Sequence, residues 1–309
     1  MRGTRVAATT LPVYAHDRSM KPFDLFLAVV VMLIWGANFV VAKFGLAEMP
    51  AILLMAMRFG AVALFLVPFV KIPRGRLKRI AFLSVSLGTV HYAFMFTGMA
   101  RLDAGTAAIL TQLQVPFSAV IAAVIYGERL GWVRGLGMAV AFAGVAIMMG
   151  EPRLTADLVA VGFVIFAGMV WAVANIQIKA LGPVDGFSLN AYLGLFAAPQ
   201  LLLTSFLLES GHRDALVQAD WTVVVFAVLY LAVMVQIVSY AIWYRLLRLY
   251  PVNQVMPITL LCPVLGVLAG VILLGEVLTW RAVLGGAATL AGVAIIMLWR
   301  PAPPPKPAE

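Results

Sequence analysis

The sequence predicts an all-α integral membrane protein: ten transmembrane helices arranged as two five-helix repeats of inverted topology. Three observations predict it. First, hydrophobic residues make up 63% of the 309-residue chain, charged residues only 11%, and mean hydropathy is +1.03, whereas a soluble domain carries roughly 25% charged residues. A water-soluble fold of this length lacks the interior to hide so much apolar surface, and this chain lacks the charge to cover an exterior. Second, the apolar residues fall into ten runs, each near the roughly 20 residues that cross a bilayer core as a helix. Third, motifs of the first half recur in the second. The same numbers exclude a soluble enzyme, a coiled coil and a disulfide-stapled secreted domain. The single cysteine, Cys262, lies in an apolar run and reads as a packing residue; one cysteine permits neither an internal disulfide nor a Cys-rich metal site.

The elements follow in order. Residues 1–20 read as a disordered cytoplasmic N-terminus; Met20-Lys21-Pro22 is a natural start, so residues 1–19 are expected to be a gene-start extension. Span 1 (25–42) carries Trp35 and Asn38 and runs into Lys43 without a small-residue cleavage site, so it is not a signal peptide. Span 2 (50–70) holds Arg58, and span 3 (80–100) holds His91 and Tyr92. Span 4 (104–127) contains Gln112, Gln114 and Pro116, and span 5 (131–149) is rich in glycine. Span 6 (158–178) places Trp171 and Asn175 one turn apart, span 7 (187–208) follows, and 209–220 is the longest loop. Span 8 (221–244) carries Gln236, Ser239, Tyr240 and Trp243 at i, i+3, i+4 and i+7, a continuous polar and aromatic helix face. Span 9 (251–274) contains Pro257, Pro263 and Gly266-x-x-x-Gly270, and span 10 (282–299) again carries glycines before a cytoplasmic tail at 301–309. Loops are short, so consecutive helices are antiparallel neighbours, and no extramembrane domain fits.

The net charge of +9 could suggest nucleic acid in a soluble chain, but the basic residues sit between apolar runs. With the N-terminus inside, sixteen of the 22 Lys and Arg fall on the cytoplasmic side, five on the other and Arg58 within a span. The positive-inside rule therefore puts both termini in the cytoplasm and removes any call for a nucleic-acid partner.

The halves repeat. Trp35-Gly-Ala-Asn-Phe-Val-Val-Ala-Lys43 echoes Trp171-Ala-Val-Ala-Asn-Ile-Gln-Ile-Lys179, and Tyr126-Gly-Glu-Arg-Leu-Gly-Trp132 matches Leu274-Gly-Glu-Val-Leu-Thr-Trp280. The register holds through Ala143-Gly-Val-Ala-Ile147 and Ala291-Gly-Val-Ala-Ile295. Five spans per half turn the second half upside down, the signature of secondary transporters that rock around a midplane site. Residues 21–150 and 151–300 are the expected units.

These motifs resemble those of the EamA family within the drug/metabolite transporter superfamily, most nearly its bacterial O-acetylserine/cysteine exporters. The carrying residues are Trp35 to Lys43 with Gly45-Leu46, Arg58-Phe59, Gly127-Glu128-Arg129-Leu130, and Tyr240-Ala-Ile-Trp243 with Pro257 and Pro263. The resemblance implies an inner-membrane carrier built of two EamA repeats, exporting small amino-acid-like solutes, with proton coupling and no cofactor.

Polar side chains inside spans are costly and so mark candidate sites. Trp35, Asn38, His91, Tyr92, Gln112, Gln114, Trp171, Asn175, Gln236, Ser239, Tyr240 and Trp243 are the expected substrate-binding residues; the competing reading is interhelical hydrogen bonding. Arg58 either meets a substrate carboxylate or braces helix carbonyls, and His91 either relays protons or is a hydrogen-bonded core histidine. Pro116, Pro257 and Pro263 are expected hinges, and the glycines of spans 5 and 10 make these the scaffold pair. Both repeats lie on one chain, so a monomer or a homodimer is equally consistent. No Asp or Glu falls inside the runs, which disfavours exchange of organic cations for protons and leaves His91 or the solute to carry any coupled proton. Glu128 and Glu276, at span ends just before the next helix, read as caps or as makers of interface hydrogen bonds. An intramembrane enzyme would need a nucleophile–base pair, a carboxylate dyad or a metal cluster, and a channel would need charge rings or carbonyl filters; neither set is visible.

Overall fold

A computed structural model describes residues 20–126, 131–150, 157–250 and 252–298. The expected terminal segments 1–19 and 301–309 lie outside them, as do Glu128, Arg129 and Trp299. Ten helices are long and apolar enough to cross a membrane: α1 (Pro22–Glu48), α2 (Ala51–Phe69), α3 (Leu77–Arg101), α4 (Ala104–Ile125), α5 (Gly131–Met149), α6 (Leu158–Leu181), α7 (Gly186–Leu208), α8 (Trp221–Leu249), α9 (Met256–Leu274) and α10 (Trp280–Leu298). In lipid no water satisfies the backbone, so an apolar run must bond its own N–H and C=O groups, and the helix does so within one segment. Helix starts are written in the sequence. Pro22 opens α1 with φ already fixed, while Asp157, Asp185 and Asp220 accept backbone N–H groups of Ala160, Ser188 and Thr222 at 3.0, 2.9 and 2.8 Å.

The helices pair under one rule. The pair α1–α9 has its counterpart in α6–α4, α1–α8 in α6–α3, and α2–α8 in α7–α3, while α2–α7 and α5–α10 pair across the repeat. Exchanging each helix with the one five places later therefore maps these five pairings onto pairings of the same kind. The scaffold pair α5–α10 is close because glycines leave no side chain between the backbones: a Cβ on Gly144 would lie 2.5 Å from Gly285 O. Thr289, fully buried at that crossing, returns its hydroxyl proton to Gly285 O at 2.8 Å.

Irregularities obey the same rule. The third helix of each half unwinds into a π-helical stretch, Ser84–His91 in α3 and Tyr230–Val238 in α8. The fourth tightens into a 3₁₀ turn, Thr111–Leu113 in α4 and Met256–Leu260 at the start of α9. Pro116 and Pro263 are each the third residue of the α-helix that resumes after that turn, where a missing N–H leaves a 3₁₀ carbonyl without its i+4 donor. Pro257 lies within the 3₁₀ turn itself, and a short helix, Val252–Val255, precedes it, so the expected span 9 is broken at its start.

Span 1 is longer than its apolar run, and this brings an acid into a helix. Asp24, in the first turn of α1, is only 4% exposed; Arg245 of α8 donates to it at 2.6 Å and Tyr250 at 2.6 Å. The sequence reading stopped short of Asp24 because its partners lie 221 and 226 residues away. Glu276 both caps a helix and bonds across an interface: its carboxylate accepts Ala104 N–H at 2.5 Å and Gly105 N–H at 2.9 Å, the first turn of α4 in the other half. Glu209 does the same for α2, accepting Ile52 N–H and Leu53 N–H at 2.8 and 3.1 Å.

Candidate functional site

The middle of the bundle carries two linked groups of polar and aromatic side chains. In the first, α1 meets α8. Trp35 Nε1 donates to Ser239 Oγ at 2.7 Å, and the Trp35 ring lies 5.6 Å from that of Tyr240 and 5.2 Å from that of Trp243. Tyr230, in the π-helical stretch, donates its hydroxyl to Ile34 O at 2.9 Å. The i, i+3, i+4, i+7 face of α8 is thus turned toward α1 as its spacing predicts, apart from Gln236, which reaches the second group.

That second group is built around Arg58, which is 3% exposed on α2. Its Nη2 donates to Gln236 Oε1 of α8 at 3.0 Å, and Gln236 Nε2 donates to Asn190 Oδ1 of α7 at 2.9 Å. The guanidinium carbon stands 5.0 Å from the ring centre of Tyr92 and 5.7 Å from that of Phe59. Tyr92 meets Phe59 and His91 edge-on, each at 4.8 Å, and His91 lies 5.9 Å from Trp171. His91 Nδ1 sits 2.9 Å from Ala167 O of α6. Five helices therefore contribute to one connected chain of contacts: α2, α8, α7, α3 and α6.

Its electrostatics are unbalanced. The two ion pairs among the described residues are Arg101–Asp157 and Arg245–Asp24, so no described carboxylate neutralises Arg58. Amide oxygen and π faces hold the guanidinium instead; these are favourable, but they do not cancel a buried charge. Its hydrogen-bond partners are side chains, Gln236 and the Met55 sulfur, rather than carbonyls of a bent helix. Among the described buried side-chain atoms without a partner are Arg58 Nε in this group and Asn38 Oδ1 on α1. Buried polar groups are nearly always bonded, so the unbonded Nε of a buried guanidinium calls for an explanation.

The structure gathers Trp35, Arg58, His91, Tyr92, Trp171, Gln236, Ser239, Tyr240 and Trp243 into these two groups. Among the described residues, no hydrogen bond or ring contact ties Asn38, Asn175, Gln112 or Gln114 into them. Asn190 and Tyr230 are members that sequence reasoning missed, as is Tyr244, whose ring lies 5.5 Å from that of Tyr240. Tyr244 was legible as the next i+4 step after Tyr240; Asn190, an isolated amide near a helix start, carried no pattern. Elsewhere polar side chains join helices. Gln200 of α7 donates to Ser84 Oγ at 2.9 Å and accepts from Thr89 at 2.8 Å, and Ser86 donates to Gln177 Oε1 of α6 at 2.5 Å.

Outside the spans, Asp220 has its carboxyl held below the usual range by hydrogen bonds from Thr222 and Val223 at the start of α8. Its own N–H donates to Glu48 at 2.9 Å, which links α1 and α8 on that face.

Comparison with known proteins adds a family. The model of the EamA-like transporter family matches residues 23–150 and again 154–298. A "Probable amino-acid metabolite efflux pump" of Salmonella typhimurium is 34% identical over 89% of this chain and 95% of that protein. Its namesake in Escherichia coli is 31% identical over 92% and 98%. A "Probable terminal-alkyne amino-acid exporter" of Streptantibioticus cattleyicolor is 30% identical over 74% and 75%. A solved crystal structure shares the fold at 17% identity, with a TM-score of 0.58 over 89% of this chain and 96% of its own.

Proposed function

This chain belongs to the EamA-like transporter family, a multi-pass membrane transporter and not an enzyme, and from that premise we propose that it exports small neutral amino acids or their derivatives, of the cysteine and O-acetylserine kind, across a bacterial inner membrane by alternating access. The observation that carries the substrate class is Arg58: a guanidinium 3% exposed at mid-helix, with Nε unbonded and no carboxylate among its partners. A substrate carboxylate supplies the missing charge, and Arg presents a planar fork suited to it. Asn38 Oδ1 is a free acceptor, and the Asn190 amide beside Gln236 a further polar group, for the rest of a small polar solute. The aromatic rings of Trp35, Tyr240 and Trp243 offer π faces that attract an ammonium group in a site without an acid of its own. The names of the relatives, amino-acid metabolite efflux pump and amino-acid exporter, support the same class. Both termini belong in the cytoplasm on the count of basic residues, and His91 or the solute itself carries any coupled proton.

Uptake into proteoliposomes across a panel of amino acids, their decarboxylated amines, sugars and drugs, with and without a pH gradient, tests the proposal. Saturable transport of neutral amino acids with counter-transport is expected, with the amines at least ~10-fold poorer, equivalent to losing about 1.4 kcal/mol of binding. Transport of sugars or drugs without any neutral amino acid would overturn it, as would amines handled as well as the amino acids. Wild-type rates in alanine variants of Trp171, Gln236 and Tyr240 alike would refute the site.

A further inference from the structure

The inverted repeat makes α4–α6 the counterpart of α1–α9, yet the two interfaces differ. Gly36 brings α1 so near α9 that a Cβ there would lie 2.8 Å from Leu265 Cβ. Between α3, α4 and α6 the helices part instead, leaving a cleft of about 630 Å³, within the roughly 300–1,000 Å³ that encloses a drug-sized molecule.

Its lining is apolar, from Phe82 and Val85 of α3, Phe117 and Val120 of α4, and Phe166 and Met169 of α6 among others. Ser86 is the one polar side chain in the lining, and its single hydroxyl proton is already taken by Gln177 Oε1 at 2.5 Å, with Leu83 O also in reach at 3.1 Å. A polar solute would find no partner there. Phe82, Val85, Val120, Phe166 and Met169 are also exposed at the protein surface, so the cleft opens sideways, toward where acyl chains lie.

The end of the cleft is basic. Lys78 and Arg79 precede Phe82 by four and three residues on α3, one turn above it on the same side of the helix. Both are exposed, and among the described residues neither is ion-paired. Arg79 reaches Ala180 O at 3.5 Å, and Arg76 bonds Leu181 O, so guanidinium groups already gather over the end of α6. Basic residues at the membrane interface beside a gap between helices suit an anionic headgroup.

We propose that this cleft is a phospholipid site: one acyl chain of an anionic phospholipid lies between α3, α4 and α6, with its phosphate against Lys78 and Arg79. The proposal does not depend on what the carrier transports.

Thermal unfolding of the full chain in detergent tests it, with phosphatidylglycerol added in one arm and phosphatidylcholine of the same acyl chains in the other. Phosphatidylglycerol is expected to raise the midpoint by roughly 3 °C or more beyond phosphatidylcholine. The double variant Lys78→Gln/Arg79→Gln should lose that difference, and Val85→Trp or Val120→Trp, each filling the mouth of the cleft from a surface position, should lose the shift with either lipid. Arg213→Gln, in the short helix His212–Gln218 after α7, should keep both. Equal shifts by the two lipids in the wild-type chain overturn the proposal, and so does a full phosphatidylglycerol shift in both the basic and the cleft-filling variants. Should Val85→Trp or Val120→Trp leave the lipid shifts intact and raise KM only for amino acids with large side chains, the cleft belongs to the solute and the proposal fails.

Discussion

Gln236 shows how much rests on single side chains at mid-membrane. It accepts from Arg58 and donates to Asn190, so Gln236→Leu removes the guanidinium's one oxygen partner and costs about 1–3 kcal/mol of stability. Gln236→Glu tests the site in the other direction. It supplies Arg58 with a carboxylate inside the protein, which should raise the thermal midpoint while competing with the substrate and raising KM for amino acids by at least ~10-fold (about 1.4 kcal/mol). A midpoint and a KM that both stay at wild-type values would remove Arg58 from the proposed site. What the sequence exposed at this scale was residue type and helical spacing: Arg58 stands out as a charge deep in an apolar run, and the α8 face follows from period 3.6. Which amide meets which charge was hidden, because Arg58 and Gln236 are 178 residues apart and periodicity within a helix says nothing about its partner. The same limit hid Asp24, whose helix looked free of acids until α8 was placed beside it.

At the scale of elements, the glycines separate by what surrounds them. Gly144 meets Gly285 O and Thr289 across the α5–α10 crossing, whereas a Cβ on Gly162 would touch nothing within 4 Å. Gly144→Leu should therefore push the scaffold pair apart and cost about 1–3 kcal/mol or more, while Gly162→Ala should be neutral or stabilising by up to about 1 kcal/mol; thermal midpoints of the two variants check the contrast. Pro116 and Pro263 give a second pair of predictions. Alanine at either position restores the N–H that the preceding 3₁₀ turn lacks, so it should stiffen α4 or α9 and lower turnover with KM little changed, if these breaks act as hinges. A lowered KM at unchanged turnover would speak against hinging. The spans, the scaffold pair and the prolines were all legible, since each is marked by composition or by a residue with a fixed backbone effect. The π-helical stretches in α3 and α8 were not, because no residue type encodes them; they appear where tertiary contacts, such as Gln200 with Ser84 and Thr89, are made on one side of the helix.

For the whole molecule, the two ion pairs take their meaning from the repeat. Asp24–Arg245 joins the start of α1 to the end of α8 on the face where the N-terminus lies, and Asp157–Arg101 joins the start of α6 to the end of α3 on the opposite face. Exchange of the halves carries α1–α8 onto α6–α3, so the pairs sit within about a turn of equivalent positions, one on each side of the membrane. In a carrier that works by the alternating access proposed above, these two interfaces would open in turn, each pair holding one face shut. They are unequal. Asp24 is buried and also accepts from Tyr250, whereas the Arg101 side chain is 56% exposed. Both arginines reach water, at 43% and 56% exposure, so the difference rests on the more enclosed Asp24 and its second donor, Tyr250. Asp24→Asn should therefore loosen α1 from α8 far more than Arg101→Gln loosens α3 from α6. Cys262, the one cysteine in the sequence, reports on it directly, since it packs against the cluster of Val31, Met32, Trp243 and Tyr250 at that interface. Its alkylation by a membrane-permeant maleimide is expected to quicken by ~10-fold or more in Asp24→Asn, from a shift of at least about 1.4 kcal/mol, and to stay at the wild-type rate in Arg101→Gln. Equal alkylation rates in wild type and Asp24→Asn would mean that Asp24 braces a fixed joint, and that opening at this face uses other helices.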